Sequence, residues 1–129
     1  MLGFFNFFVR AESLKALDQA LRDFDLYPRV LPEAVKLAAV RLMQKASDAE
    51  YVLRDEDYQR AAELLSYAIL GPDQFVASNT LAEARLAEKR LEEAIDSGDS
   101  LDAEIVLLTV HSGVVHSKIA EQFEIEVGE

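Results

Sequence analysis

The side chains best suited to proton transfer or metal binding in this sequence are two histidines, His111 and His116. The pattern predicts both on one C-terminal helix, where five residues of about 100° each place them roughly 140° apart around the axis. Two ligands of one metal ion on a helix are normally three or four residues apart. We therefore expect no shared metal site, and we interpret both histidines as buried, hydrogen-bonded structural residues.

Other catalytic signatures are missing from the sequence. Without cysteine there is no thiolate metal site, disulfide or thiol nucleophile. Five scattered glycines provide neither a phosphate-binding loop nor a glycine-flanked serine nucleophile. We expect no cofactor, no metal and no catalysis, although a small signalling or enzymatic helical domain using His116 or Glu88 stays an alternative.

Glu88 attracts attention because a carboxylate lies among apolar positions there. It belongs to a predicted helix that starts with a capping box, Thr80 to Glu83, and ends near Ser97. On a helical projection Glu88 falls inside the apolar stripe of that helix. A carboxylate on a buried face requires a cation or a hydrogen-bond donor. Glu88 is a candidate buried acid, with a position at the edge of the stripe, reaching solvent or pairing with an arginine such as Arg41, as the alternative.

The charge distribution is uneven along the chain. The net charge is −11, and residues 65–129 hold 4 basic against 13 acidic side chains. Six acidic residues surround the tip of a predicted helical hairpin at Gly98, namely Glu92, Glu93, Asp96, Asp99, Asp102 and Glu104. We predict that they dock a basic partner protein. A solvated surface, a loosely bound divalent cation, or an acidic mimic that blocks a DNA- or RNA-binding protein are alternatives.

The sequence also has more apolar surface than one helical stripe can bury. The C-terminal helix is apolar on two sides, and four phenylalanines lie near the N-terminus. Such surplus surface is typical of a dimer interface or docking surface. The residues assigned to it are Phe4, Phe5, Phe7, Phe8, Leu107, Val110 and Val114.

A helical framework is predicted to position these residues. Between the glycines and prolines, apolar residues recur at intervals of three and four, which is typical of helices. Residues 123–127 instead alternate apolar and polar like a strand, and residues 4–9 are also compatible with a strand, so the two termini could pair. We predict one all-α domain over residues 1–129, a bundle of about five helices, and a short two-stranded pairing of the termini stays an open alternative. The predicted helices run from Ser13 to about Phe24, Pro32 to about Ala46, Asp55 to Leu70, Thr80 to Ser97 and Leu101 to about Phe123, with one helical turn at 72–77.

The longest stretch without Asp, Glu, Lys or Arg is 13 residues, Ile105 to Ser117. A membrane span needs roughly 18. The apolar N-terminus has no preceding basic residue, so a secretory signal is not expected. Together these features predict a cytoplasmic, bacterial, non-catalytic protein–protein interaction or regulatory module. We expect a homodimer with a protein partner and without direct binding to nucleic acid or membrane.

Overall fold

The computed structural model describes residues 2–47 and 52–125, and for residues 2–10 it describes the backbone only. Within these ranges every regular element is helical, which confirms the predicted all-α class. It contains seven helices there, rather than about five, and no strand. The helices are α1 (Leu2–Asp23), α2 (Glu33–Ala46), α3 (Asp55–Leu70), α4 (Pro72–Ser78), α5 (Leu81–Ser97), α6 (Leu101–His111) and α7 (Ser117–Gln122), with a 3₁₀ turn at Pro28–Val30.

Helix α1 corrects the prediction for the N-terminus. It begins at Leu2 rather than near Ser13, so residues 4–9 are helical and the strand alternative for them is wrong. No proline or glycine lies between residues 4 and 23, and nothing in the sequence stops a helix there. Ser13 is therefore not an N-cap but a buried residue within α1, where its hydroxyl accepts a hydrogen bond from Tyr58 at 3.2 Å.

The second predicted strand, 123–127, is not extended where it can be followed. Glu124 adopts a left-handed conformation with φ 54°. The N–H of Ile125 donates to the carbonyl of Ala120 at 2.8 Å, which closes the end of α7. Residues 126 and 127 lie outside the described residues.

The C-terminal helix, predicted to be continuous, is broken after His111. Gly113 has φ 76°, which favours glycine. The N–H of Gly113 donates to Val110 and that of Val114 to Thr109, both at 3.1 Å, which is the Schellman arrangement at a helix end. The chain then turns back and α7 begins at Ser117 as a separate short helix.

Helix α3 lies at the centre of the packing, since it contacts α1, α4, α5 and α6. Its buried side chains include four at spacings of three and four, namely Tyr58, Ala62, Leu65 and Ile69. Phe75 of α4 is fully buried and its ring lies 6.2 Å from Phe24 and 5.4 Å from Tyr67. The aromatic cluster therefore joins α3 and α4 to the turn that follows α1. No described helix combines the length and apolar character needed to cross a bilayer.

Helices α5 and α6 form the predicted hairpin. The Thr80 hydroxyl accepts the Glu83 N–H at 3.1 Å and the Glu83 carboxylate accepts the Thr80 N–H at 3.1 Å, which confirms the capping box. Gly98, with φ 75°, ends α5. Ser100 caps α6 by accepting the N–H of Ala103 at 3.1 Å. The short connection holds the two helices side by side.

Candidate functional site

An open apolar groove of about 210 Å³ lies between the C-terminal end of α5 and one side of α6. Its lining is aliphatic throughout: Ala94, Ile95, Gly98, Ala103, Val106, Leu107, Val110 and Ile125. Ala94, Val106 and Val110 are buried, whereas Ile95 is 37% and Leu107 52% exposed. Ile95 directly follows the buried Ala94, and Leu107 directly follows the buried Val106. Because successive residues of a helix are rotated by about 100°, each exposed side chain lies at the edge of the buried stripe. We call this feature the α5–α6 groove.

Four carboxylates lie close in the sequence to residues of the α5–α6 groove, although none of the four lines it, and we call them its rim. Glu92 and Asp96 on α5 and Asp99 in the connection are exposed, and Glu104 on α6 is half-buried. Glu92 and Glu104 each precede an exposed groove residue by three positions, the spacing of neighbours on a helix surface. The described residues form no ion pair with these four carboxylates. The last turn of α5 contains no basic residue, so its anions oppose the helix dipole by about 0.3–1 kcal/mol each.

Glu93 and Asp102, the other two residues of the predicted acidic cluster, do not join this rim. Glu93 is exposed, but two residues before Ile95 it lies on another side of α5. Asp102 accepts two hydrogen bonds from Arg90, from Nε at 3.1 Å and from Nη2 at 2.9 Å. Of the six residues of the predicted cluster, Asp102 is therefore engaged in an ion pair within the hairpin.

Arg90 is the centre of an ion-pair network beneath the hairpin. Besides Asp102 it contacts Glu63 at 2.8 Å and the carbonyl oxygen of Arg60 at 2.9 Å through Nη1. Burial disfavours the charged guanidinium, but hydrogen bonds and attraction from both carboxylates prevail and raise the pKa of Arg90. The network joins α3, α5 and α6, so Asp102 holds the hairpin in place.

The predicted apolar docking residues are separated by the structure. Leu107 is exposed, Val110 is buried as part of the groove lining, and Val114 is half-buried beyond the end of α6. Because α6 ends at His111, Val114 does not continue the helical face to which it was assigned. The side chains of Phe4, Phe5, Phe7 and Phe8 lie outside the described residues, although their backbone belongs to α1.

The histidines occupy two different environments. His111, predicted to be buried, is exposed at the end of α6. His116 is half-buried and caps α7, since its Nδ1 accepts the N–H of Lys118 at 3.0 Å. The backbone N–H of His116 donates to the backbone carbonyl of Ala68 in α3 at 2.8 Å. The break at Gly113 therefore gives His116 a structural role that a continuous helix would not.

Helix α7 also supplies the partner of Glu88. Glu88 is half-buried rather than fully buried, which fits the stripe-edge alternative, and its partner is not Arg41 but Gln122, which donates to its Oε2 at 2.6 Å. Lys118 pairs with Asp73 of α4, and this hydrogen bond and positive charge lower the pKa of Asp73. Together with the backbone bond of His116, these contacts attach α7 to α3, α4 and α5.

Tyr67 leads to a prediction about alkaline pH. Burial, with the nearby charge of Glu88, raises the pKa of Tyr67 from 10.0 to about 12. Below pH 10 the phenol is neutral in both states, whereas between pH 10 and 12 it ionises in the unfolded chain first. Stability contributed by the buried neutral phenol is thus lost over that window. We expect wild type to lose unfolding free energy relative to Tyr67→Phe between pH 9 and pH 11.5. Urea denaturation at both pH values measures the difference.

Tyr27→Phe is the matched control, because Tyr27 is 61% exposed and its hydroxyl is solvated in folded and unfolded chains alike. If the unfolding free energies of Tyr67→Phe and wild type differ by the same amount at both pH values, the pKa of Tyr67 is not raised by folding.

A second cavity, of about 200 Å³, lies between α2, α3 and α6. The two carboxylates in its lining are already engaged, Asp57 by the N–H of Arg54 and Asp102 by Arg90. In the described ranges no three His, Asp or Glu side chains are grouped so as to hold a metal ion. The α5–α6 groove, with its unpaired rim, is therefore the stronger candidate site.

No protein-family model, curated protein sequence or solved structure matches this chain. Any function must therefore be argued from the residues and their arrangement.

Proposed function

We propose that this chain is a non-catalytic protein–protein interaction module whose contact surface is the α5–α6 groove. The observation that carries the proposal is the exposure of Ile95 and Leu107 on opposite sides of one apolar groove. Burying a complete Leu or Ile side chain is worth roughly 1.5–3 kcal/mol. A partner that covered both exposed portions would gain about 2 kcal/mol from them, or about 30-fold in affinity.

The size of the groove favours a protein partner over a small molecule. Small-molecule sites usually enclose about 300–1,000 Å³ with a few convergent polar groups. The α5–α6 groove is smaller, open, and aliphatic throughout. Such a surface suits one or two apolar side chains of another protein.

A non-catalytic role is supported by the positions of the two histidines. His111 is exposed on α6, while Nδ1 of His116 is occupied in capping α7. General acid–base catalysis needs a group within hydrogen-bond reach of its substrate, usually in a recess. Neither histidine lines the groove.

The proposal predicts that Leu107→Asn will weaken partner capture about tenfold, because it removes about half of the apolar gain and leaves an amide to desolvate. Tagged wild type and variant would be used for affinity capture from the source cell, with quantitative mass spectrometry of the bound proteins. Leu86→Asn is the matched control, since Leu86 is 59% exposed on α5 but does not line the groove.

Equal capture by wild type, Leu107→Asn and Leu86→Asn would argue against this surface. Sedimentation velocity of the same samples tests the predicted homodimer. Dimerisation that Leu107→Asn abolishes would identify a second copy as the occupant and keep the interaction role.

A further inference from the structure

We propose that the occupant of the α5–α6 groove is a basic amphipathic helix of another protein. This inference rests on the proposed function and specifies the partner's chemistry. It is argued from the absence of strand in the described chain, the aliphatic lining of the groove, and the charge of its rim.

The recognition mode follows from what the groove can offer a peptide. An extended peptide gains affinity by pairing its backbone with a sheet edge, and residues 2–47 and 52–125 contain no strand. A polyproline segment docks on aromatic side chains, and no aromatic residue lines this groove. A partner helix needs only an apolar groove that accepts its side chains at positions such as i and i+4. Ile95 and Leu107 border a groove of this kind.

Small residues in the groove allow such a helix to approach closely. Ala94, Gly98 and Ala103 contribute at most one methyl group each to the lining. A leucine or isoleucine of the partner can therefore enter between Ile95 and Leu107. One helical turn of the partner brings a second apolar side chain towards Val110 and Ile125.

The rim fixes the sign of the partner's charge. Glu92, Asp96 and Asp99 are exposed, and the nearby Arg90 is already occupied by Glu63 and Asp102. A second copy docked symmetrically would bring these carboxylates against their equivalents, which like-charge repulsion opposes. Lysines or arginines flanking the partner's apolar stripe would instead face unpaired carboxylates.

The test uses three labelled synthetic peptides of about 15 residues, long enough to form a helix on binding. The first contains leucine and lysine with leucines at helical spacing. The second has the same composition in strict alternation, and the third replaces lysine by glutamate. Binding to the wild-type chain is measured by fluorescence anisotropy, and the site is mapped from amide chemical shifts.

We expect the helical leucine–lysine peptide to bind most tightly and to shift amides of residues lining the groove. Leu107→Asn should weaken it about tenfold, and Leu86→Asn less than about twofold. The triple variant Glu92→Gln, Asp96→Asn, Asp99→Asn should weaken it more than Glu12→Gln, Glu33→Gln, Glu56→Gln, which removes three exposed charges elsewhere. The difference between the triple variants should shrink as salt rises from about 50 to 200 mM, because exposed charges are screened.

Equal binding of the alternating peptide would show attraction by charge alone and would overturn the proposal. So would equal binding of the leucine–glutamate peptide, or amide shifts centred away from the groove. If the helical peptide fails to bind while capture still depends on Leu107, the interaction role stands and the partner class is wrong. If both measurements fail, both proposals fall.

Discussion

Replacing Arg90 by methionine should lower the free energy of unfolding by about 3 kcal/mol, because it leaves two partly buried carboxylates without their cation. Arg90, Glu63 and Asp102 have side chains only 15%, 19% and 21% exposed. Four hydrogen bonds from Arg90 join α3, α5 and α6, so the loss is not confined to one helix. Urea denaturation of the purified chains measures the change.

Arg85→Met is the control, since Arg85 is exposed on the same helix and its loss should change stability by no more than about 0.5 kcal/mol. Adding Glu63→Gln and Asp102→Asn to Arg90→Met should recover part of the loss, because the stranded charges are removed with their partner. A cost below about 1 kcal/mol for Arg90→Met would mean that water replaces the guanidinium without penalty.

Gly71→Ala should be nearly as costly, at about 3 kcal/mol, for two separate reasons. Gly71 has φ 86° and ψ 165°, a conformation that only glycine adopts readily. A β-carbon there would also lie 2.8 to 2.9 Å from three atoms of the His116 imidazole. Because Nδ1 of His116 accepts the N–H of Lys118, the ring cannot rotate away without breaking the hydrogen bond that caps α7.

A double-mutant cycle separates the two contributions. In a His116→Ala background the collision disappears, and Gly71→Ala should cost only about 2 kcal/mol from backbone strain. Gly98→Ala should cost a similar 1–2 kcal/mol, since Gly98 has φ 75° and no atom within 4 Å of the added carbon. An equal cost of Gly71→Ala with and without His116 would show that the close approach has no energetic weight.

Several local features could be predicted from the sequence because neighbouring residues determine them. The capping box at Thr80, the stop at Gly71 and Pro72, and the start of α2 after Pro32 depend on residues within about one turn. The start of α1 was mispredicted at Ser13, because a good N-cap residue is equally compatible with a position inside a longer helix when its hydroxyl finds a partner such as Tyr58.

The candidate site could be predicted only in part. Glu92, Asp96, Asp99, Glu104 and Leu107 were identified from charge and apolar surplus, and all belong to the groove or its rim. The exposure of Ile95 could not be predicted, because it depends on the positions of α6 and Ile125 in the folded chain. Asp102 looks like its acidic neighbours in the sequence, and only the position of Arg90 distinguishes it.

By itself, then, the sequence determined the helical class, most helix ends and the acidic character of the hairpin, since these depend on spacing and composition. The tertiary structure decided which apolar side chains stay uncovered and which charges are paired. The break at Gly113 shows why: it sends α7 back across α3, α4 and α5, so His116, Lys118 and Gln122 meet Gly71, Asp73 and Glu88. Contacts between residues 34 to 45 positions apart depend on the path of the whole chain, which no local pattern encodes.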